Sequence, residues 1–325
     1  MLVIFRSLWG IVLQQLNTKV LVHNMYSLSL WQLSGQFINI NGHQIFTKTA
    51  GNTHNPALVL IHGFPSASWD WEGMWDELSK HYFLVTLDML GFGLSDKPFK
   101  ADYKIAEQAD LYTHFLQRLN ISNLHILAHD YGDTVAQELL ARQVANQSEA
   151  HIHSVCFLNG GLFPQAHKPL FIQKLLLSKL GWIVPKLMSK QKFAKNLTSI
   201  FGANTPPAPV VIDTLWALLN HNDGLRVMPK LINYITQRKQ NEQRWVTAII
   251  NSDIPVIFIV GEQDPISGKH MLEQYEKIIP NARTQGFAEL GHYPQVEDAK
   301  AITQAYLNFR KQVKIRGYCK AAFIN

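Results

Sequence analysis

An α/β fold is predicted: a mostly parallel sheet covered by helices on both faces, with a helical lid inserted into it. Three observations carry that expectation. Short runs rich in apolar and β-branched residues alternate with helical stretches, the pattern of strands buried on both faces. Nearly a hundred helical, basic residues separate the fourth such run from the fifth, where a strand-to-helix connection ordinarily takes about two to six. One run ends in Ala128-His129-Asp130-Tyr131-Gly132, whose small terminal residues permit a tight strand–turn–helix bend.

Met1 to Val22 is mostly apolar but is interrupted by Arg6, Gln14, Gln15, Asn17 and Lys19. It lacks the ~20 apolar residues of a spanning helix and the small-residue cleavage site of a signal peptide. No acid precedes Asp70. Residues 1–30 are read as a leader outside the fold, with Met25 as an alternative start and a peripheral membrane anchor as the competing reading. Folding is expected from Trp31, and Gln36–Ile40 and His43–Thr49 alternate around Asn41-Gly42, a strong hairpin signal. Buried strands are expected at Ala57–His62, Tyr82–Asp88, Leu124–His129, Ser154–Asn159 and Pro255–Gly261. Glu107–Asn120 and Thr134–Val144 read as crossover helices. The core is therefore assigned to residues 31–159 and 253–311, and the lid to 160–252. The breaker cluster Thr205-Pro-Pro-Ala-Pro209 divides that lid into two helical parts. Residues 312–325 show no periodicity and are read as a peripheral tail.

Apolar residues make up 47% and charged residues 17%, which suits a soluble globular protein and excludes a multispanning one. Cys156 and Cys319 do not make a disulfide framework, so a reducing, cytoplasmic location is expected. The net charge of +6 is uneven: residues 165–245 hold twelve Lys/Arg against three Asp/Glu. That stretch reads either as a solvated helical face or as a surface for anionic lipid or acidic amphipaths. No nucleic-acid motif accompanies it, so no nucleic-acid partner is expected.

The bend at Asp130 is where chemistry is expected. In the serine form of this elbow the central residue is a hydroxyl nucleophile, and here it is a carboxylate. The bland alternative is an ordinary helix N-cap. Three further segments weigh against it. His62-Gly63-Phe64-Pro65 follows the first buried strand, so the backbone N–H groups of Phe64 and Tyr131 would form an oxyanion hole. Gly261-Glu262-Gln263-Asp264 ends a later strand and places Asp264 to orient a histidine. Gly291-His292-Tyr293-Pro294 supplies that histidine before the last helix. The order nucleophile, acid, histidine is that of the α/β-hydrolase fold. A carboxylate with an ordinary pKa near 3.9 is ionised without a base, which leaves His292 free to activate water. Attack by Asp130 on an sp³ carbon, opening an epoxide or displacing a halide, would leave an alkyl ester for that water to hydrolyse.

At these residues the chain resembles the epoxide hydrolase and haloalkane dehalogenase branch of the α/β-hydrolases, through its H-G-F-P loop, H-D-x-G elbow and Gly291–Asp298 segment. It is more similar to the mesoderm-specific transcript proteins over about Trp31 to Asn308. That likeness includes Leu90-Gly-Phe-Gly-Leu-Ser-Asp-Lys-Pro98, His129 to Leu140, Asn159-Gly-Gly-Leu-Phe-Pro164 and Tyr234-Ile-Thr-Gln-Arg-Lys239. The resemblance implies an epoxide-hydrolase-like enzyme without metal or cofactor, acting on a small apolar substrate. Dehalogenases place Trp after the nucleophile and often Asn after H-G to hold halide, and Tyr131 and Phe64 stand there instead. Epoxide hydrolases protonate the opening ring with two lid tyrosines, and only Tyr234 is available. Asn159, at a strand's carboxyl end, is expected to bind substrate or cap its turn, and Trp69 is grouped with the substrate-binding residues. Trp182, Trp216 and Trp245 would suit an apolar pocket. The alternatives are a haloalkane dehalogenase of the same mechanism, or a non-catalytic protein that meets a membrane surface through its lid or N-terminus.

Overall fold

The computed structural model describes residues 28–321, with side chains to residue 313. A short helix, α1 (28–33), precedes the hairpin of β1 (Gln36–Ile40) and β2 (His43–Ala50). Asn41 and Gly42 hold φ of 54° and 83°, values these two residue types tolerate at a tight turn. Next come β3 (Ala57–Ile61), α2 (Glu72–Ser79), β4 (Phe83–Leu87) and α3 (Ile105–Arg118). They are followed by β5 (Asn123–His129), α4 (Tyr131–Val144) and β6 (His151–Leu158). A helical insertion comprises α5 (Phe171–Leu177), α6 (Val184–Leu187), α7 (Lys190–Thr198), α8 (Pro209–Asn220), α9 (Met228–Leu231), α10 (Tyr234–Gln240) and α11 (Glu242–Ile250). The last elements are β7 (Val256–Gly261), α12 (Lys269–Ile278), β8 (Thr284–Phe287), α13 (Pro294–Glu297) and α14 (Ala299–Ala321).

The strands form one sheet in the order β1-β2-β4-β3-β5-β6-β7-β8. β2 runs antiparallel to both β1 and β4, and the remaining pairs are parallel. β3 and β7 are buried along their whole length, which explains their unbroken apolar runs. The chain passes from β3 outward to β4 and returns to β5 on the opposite flank of β3. The carboxyl ends of β3 and β5 therefore bound a topological switch point, where loops diverge and leave a crevice for ligands.

Several expectations change at the edges. β8 (TQGF) is half-exposed and has no apolar run to reveal it in sequence. Leu28 already packs on the core and Trp31 is buried, so the fold begins before Trp31. The tail expected from residue 312 is helical to Ala321, because Ile302, Tyr306 and Phe309 bury the first part of α14 and a nucleated helix elongates at little cost. Residues 1–27, with the leader and anchor expected there, lie outside the described residues, as do 322–325. Among the described residues no helix is long and apolar enough to cross a membrane. The lid tryptophans do not gather around one pocket. Trp182 is 57% exposed, Trp216 packs on Phe193, and Trp245 is buried and donates its indole N–H to Glu138 of α4 at 2.8 Å.

The first turn of α4 presses on the end of β3. A Cβ on Gly132 would lie 2.3 Å from the carbonyl oxygen of Ile61 and 2.6 Å from that of His62. Gly132→Ala is therefore expected to lower stability by about 1–3 kcal/mol, the usual cost of overpacking. A urea-unfolding midpoint equal to wild type would show that the helix does not approach the strand this closely.

Candidate active site

Asp130 joins β5 to α4 with φ 47° and ψ −103°. A non-glycine residue pays about 1–3 kcal/mol for such a conformation unless its surroundings enforce it. Here Asp130 N–H donates to Leu158 at 3.1 Å and Arg238 Nη2 donates to the Asp130 carbonyl at 2.7 Å. The bend turns the carboxylate toward the end of β3, where the Phe64 N–H donates to Oδ2 at 3.2 Å. The two loops of the switch point thus meet at one carboxylate, which is only 2% exposed.

Asp264 lies beyond β7 and receives His292 Nδ1–H on Oδ2 at 2.8 Å. The same oxygen accepts from Asn159 Nδ2 at 3.0 Å and Ser267 Oγ at 2.8 Å, while Oδ1 accepts Ile266 N–H at 2.7 Å. With Nδ1 committed, His292 turns Nε2 toward Asp130, 4.0 Å from Oδ2. That separation is too long for a hydrogen bond. Glu297 clamps the histidine loop by accepting Gly291 N–H at 2.8 Å and Tyr293 N–H at 3.0 Å. His129 holds it from the other side through a 2.7 Å contact between Nε2 and the His292 carbonyl. Burial lowers the His129 pKa to about 3, so the ring is neutral and Nε2 carries the proton that it donates.

Burial opposes ionisation of Asp130, but the charges of His292 and Arg238 and the Phe64 N–H more than offset it, and its pKa lies below the ordinary carboxylate value. Asp264 follows the same pattern, with His292 as its chief counterion. Burial also disfavours the His292 imidazolium. Asp264 and Asp130 outweigh that penalty and raise its pKa to about 9. The resting site is therefore a cation between two carboxylates.

The insertion adds two side chains from one face of α10. Tyr234, fully buried, donates its hydroxyl to Asp130 Oδ1 at 3.3 Å. Burial and the Asp130 charge push the phenol pKa well above its usual value, so it stays protonated. Arg238 lies 3.6 Å from Asp130 Oδ1, donates Nε–H to Thr134 Oγ at 2.6 Å, and stacks 4.4 Å from the Tyr234 ring centroid. Sequence reasoning gave Arg238 no role in the site: it stood as one of twelve cations in a basic stretch and inside the Tyr234–Lys239 segment of the resemblance. The available signal was its i+4 spacing from Tyr234, which places both on one helix face.

Asn159 is fully buried, and its side-chain amide bonds within the protein. It donates to Asp264 and to the Gly261 carbonyl, and accepts the Gly261 N–H at 2.8 Å. Its left-handed backbone, φ 42°, and these bonds make it a support for Asp264. Trp69 is buried in the turn Ser68–Trp71, and its indole N–H has no partner among the described residues. The Tyr131 side chain packs against Phe92 and Tyr234, and Phe64 packs against the same two rings, so the four rings form one aromatic cluster that meets Asp130 through Phe64, Tyr131 and Tyr234.

A family model described as alpha/beta hydrolase fold matches residues 56–207. The mesoderm-specific transcript protein of Mus musculus is 40% identical over 293 residues, which is 87% of this chain and 88% of that protein. A Mycobacterium tuberculosis protein named as the hydrolase LipZ is 33% identical over 282 residues, 87% of this chain and 97% of its own. The solved haloalkane dehalogenase DbeA loop variant of Bradyrhizobium elkanii shares the fold at TM-score 0.73 and 17% identity, over 88% of this chain and 99% of that one.

Asp130→Asn removes one of the three anions that favour the His292 imidazolium, Asp264, Asp130 and Glu297. Its pKa should fall below about 9 while staying above the ordinary 6.5, since Asp264 remains. NMR titration of the ring, assigned by difference from His292→Gln, reads this directly, and an unchanged titration would contradict the coupling.

Proposed function

Because the chain belongs to the α/β-hydrolase family, alongside the mesoderm-specific transcript proteins, we propose that it is a hydrolase with Asp130 as its nucleophile, most suited to opening an epoxide on a small apolar substrate. The observation that carries this reading is the Tyr234 hydroxyl, 3.3 Å from Asp130 Oδ1, the carboxylate oxygen that the Phe64 N–H does not bond. A substrate carbon held against Oδ1 would place its ring oxygen within reach of that phenol. The surrounding Phe64, Phe92, Tyr131 and Tyr234 rings favour an apolar substrate body. The insertion then acts as a lid that carries the ring-opening acid.

The proton balance closes on these residues. Asp130 forms a C–O bond as the C–O bond of the ring breaks, and Tyr234 protonates the departing oxygen. Arg238 over the ring stabilises the phenolate left behind. Esterification removes the Asp130 charge, so the His292 imidazolium becomes more acidic and returns a proton to Tyr234 through the new hydroxyl or water. Neutral His292, held by Asp264, then deprotonates a water that attacks the ester carbonyl. The Phe64 and Tyr131 N–H groups stabilise the oxyanion. Collapse breaks the ester C–O bond, and the leaving alkoxide takes the proton of the newly formed carboxyl group, so the diol departs with Asp130 again a carboxylate and His292 again a cation. In the dehalogenase alternative, a leaving halide would lack the indole and amide donors that Tyr131 and Phe64 replace.

Single turnover of apolar epoxides in ¹⁸O-water tests the covalent step. The label is expected in the Asp130 peptide, and labelled diol with an unlabelled peptide would overturn the mechanism. His292→Gln is expected to accumulate the ester on that peptide, visible by mass spectrometry.

Tyr234→Phe separates the acid from the nucleophile. Alkylation of Asp130 should slow by about 10²–10⁴-fold, the usual contribution of a positioned general acid. Rapid-quench measurement of ester formation checks it, and an unchanged rate would remove Tyr234 from the reaction.

A further inference from the structure

The geometry points to the outer face of the insertion, from Phe171 to Asn196, as a docking surface for an anionic lipid layer. Eleven large hydrophobic side chains are exposed among the described residues, and five of them fall between 171 and 187. Phe171 is 79% exposed, Leu187 62%, Trp182 57% and Leu180 56%. A solvated helical face would present polar groups at these positions. Helices α5, α6 and α7 close around a groove of about 370 Å³ whose walls include Leu175, Leu180, Ile183 and Leu187 together with Lys192 and Lys195. Lys186 Nζ lies 4.8 Å from the Trp182 ring centroid, so charge and apolar surface alternate at side-chain distance.

Charge selects the occupant. Residues 165–212 contain seven lysines and no acid. Among the described residues only Lys190 of these seven is in an ion pair, with Asp213 at 2.8 Å. A second copy of this face would bring like charges together. An anionic lipid layer offers negative headgroups to the lysines and, a few ångströms deeper, hydrocarbon to Phe171, Leu180 and Leu187. Trp182 with its polar indole edge suits the boundary between them. Docking here would hold the outer face of the insertion against the lipid surface and leave Tyr234 and Arg238 at Asp130.

Co-sedimentation of the full chain with vesicles tests this, using phosphatidylcholine alone and phosphatidylcholine with about 30 mol% phosphatidylserine. Binding to the anionic vesicles is expected to be about tenfold tighter or more, and to weaken as salt is raised. The triple variant Lys174→Glu, Lys179→Glu, Lys186→Glu should lose that preference, and the Lys→Arg triple should keep it. Phe171→Ser, Trp182→Ser, Leu187→Ser should weaken binding by about tenfold at unchanged charge. All six side chains point to solvent, and a thermal melt verifies that each variant is folded. Binding that survives both triples would place the contact elsewhere in the chain and overturn the proposal. Equal binding to neutral vesicles, or no binding to either, would also overturn it. Loss of self-association in the serine triple, without lipid binding, would assign the face to a second copy. Asp130→Asn should bind vesicles like wild type, so the result is independent of the proposed reaction.

Discussion

A carboxylate removed from water costs several kcal/mol unless donors and cations replace its hydration. Asp130 imposes that requirement on the whole molecule, because its charge is nearly completely buried yet stabilised below the ordinary pKa. The replacements come from distant parts of the chain. β3 delivers the Phe64 N–H, the loop before α13 delivers His292, and α10 delivers Arg238 and Tyr234. No single segment could keep this group ionised. The strained backbone of Asp130 is tolerated for the same reason, since Leu158 and Arg238 hold both of its peptide groups.

That dependence binds the helical insertion to the sheet. Arg238 reaches Thr134 as well as Asp130, and one turn further along α4 Glu138 accepts from both Arg244 and Trp245 of α11. Removing one partner from a buried pair such as Arg238 and Asp130 typically costs about 3–5 kcal/mol, so α10 is a structural part of the site. At the other end, Glu297 accepts N–H groups from Gly202 as well as from the histidine loop, and His292 N–H donates to Ile200. The insertion thus braces Asp130 through one edge and the histidine through the other. The exposed apolar and basic face from α5 to α7 precedes both anchors in sequence.

Asp130, Asp264 and His292 are legible in the chain because each sits in a local pattern with a geometric meaning. A strand followed by small–x–Asp–x–Gly makes an elbow wherever it occurs, and Gly-Glu-Gln-Asp264 and Gly-His292 follow it in a fixed order. Long buried strands are equally plain, since both faces of β3, β5 and β7 demand apolar residues. Other features carry no such mark. β8 is too short and exposed, α14 outruns its packed part, and Asn159 and Arg238 gain their roles only from neighbours 102 and 108 residues away in sequence.

Residue order is thus enough to mark the hairpin, the long buried strands with their crossover helices, the elbow carboxylate and the histidine and acid that follow it, because these rest on periodicity and on turns that only certain residues can make. How that carboxylate stays charged, which tyrosine reaches it and which cation lies over that tyrosine are settled only once the chain has folded. Those properties depend on distances of 3 to 4 Å between groups that chain order leaves unrelated, and electrostatic energies in a buried site are set by such distances.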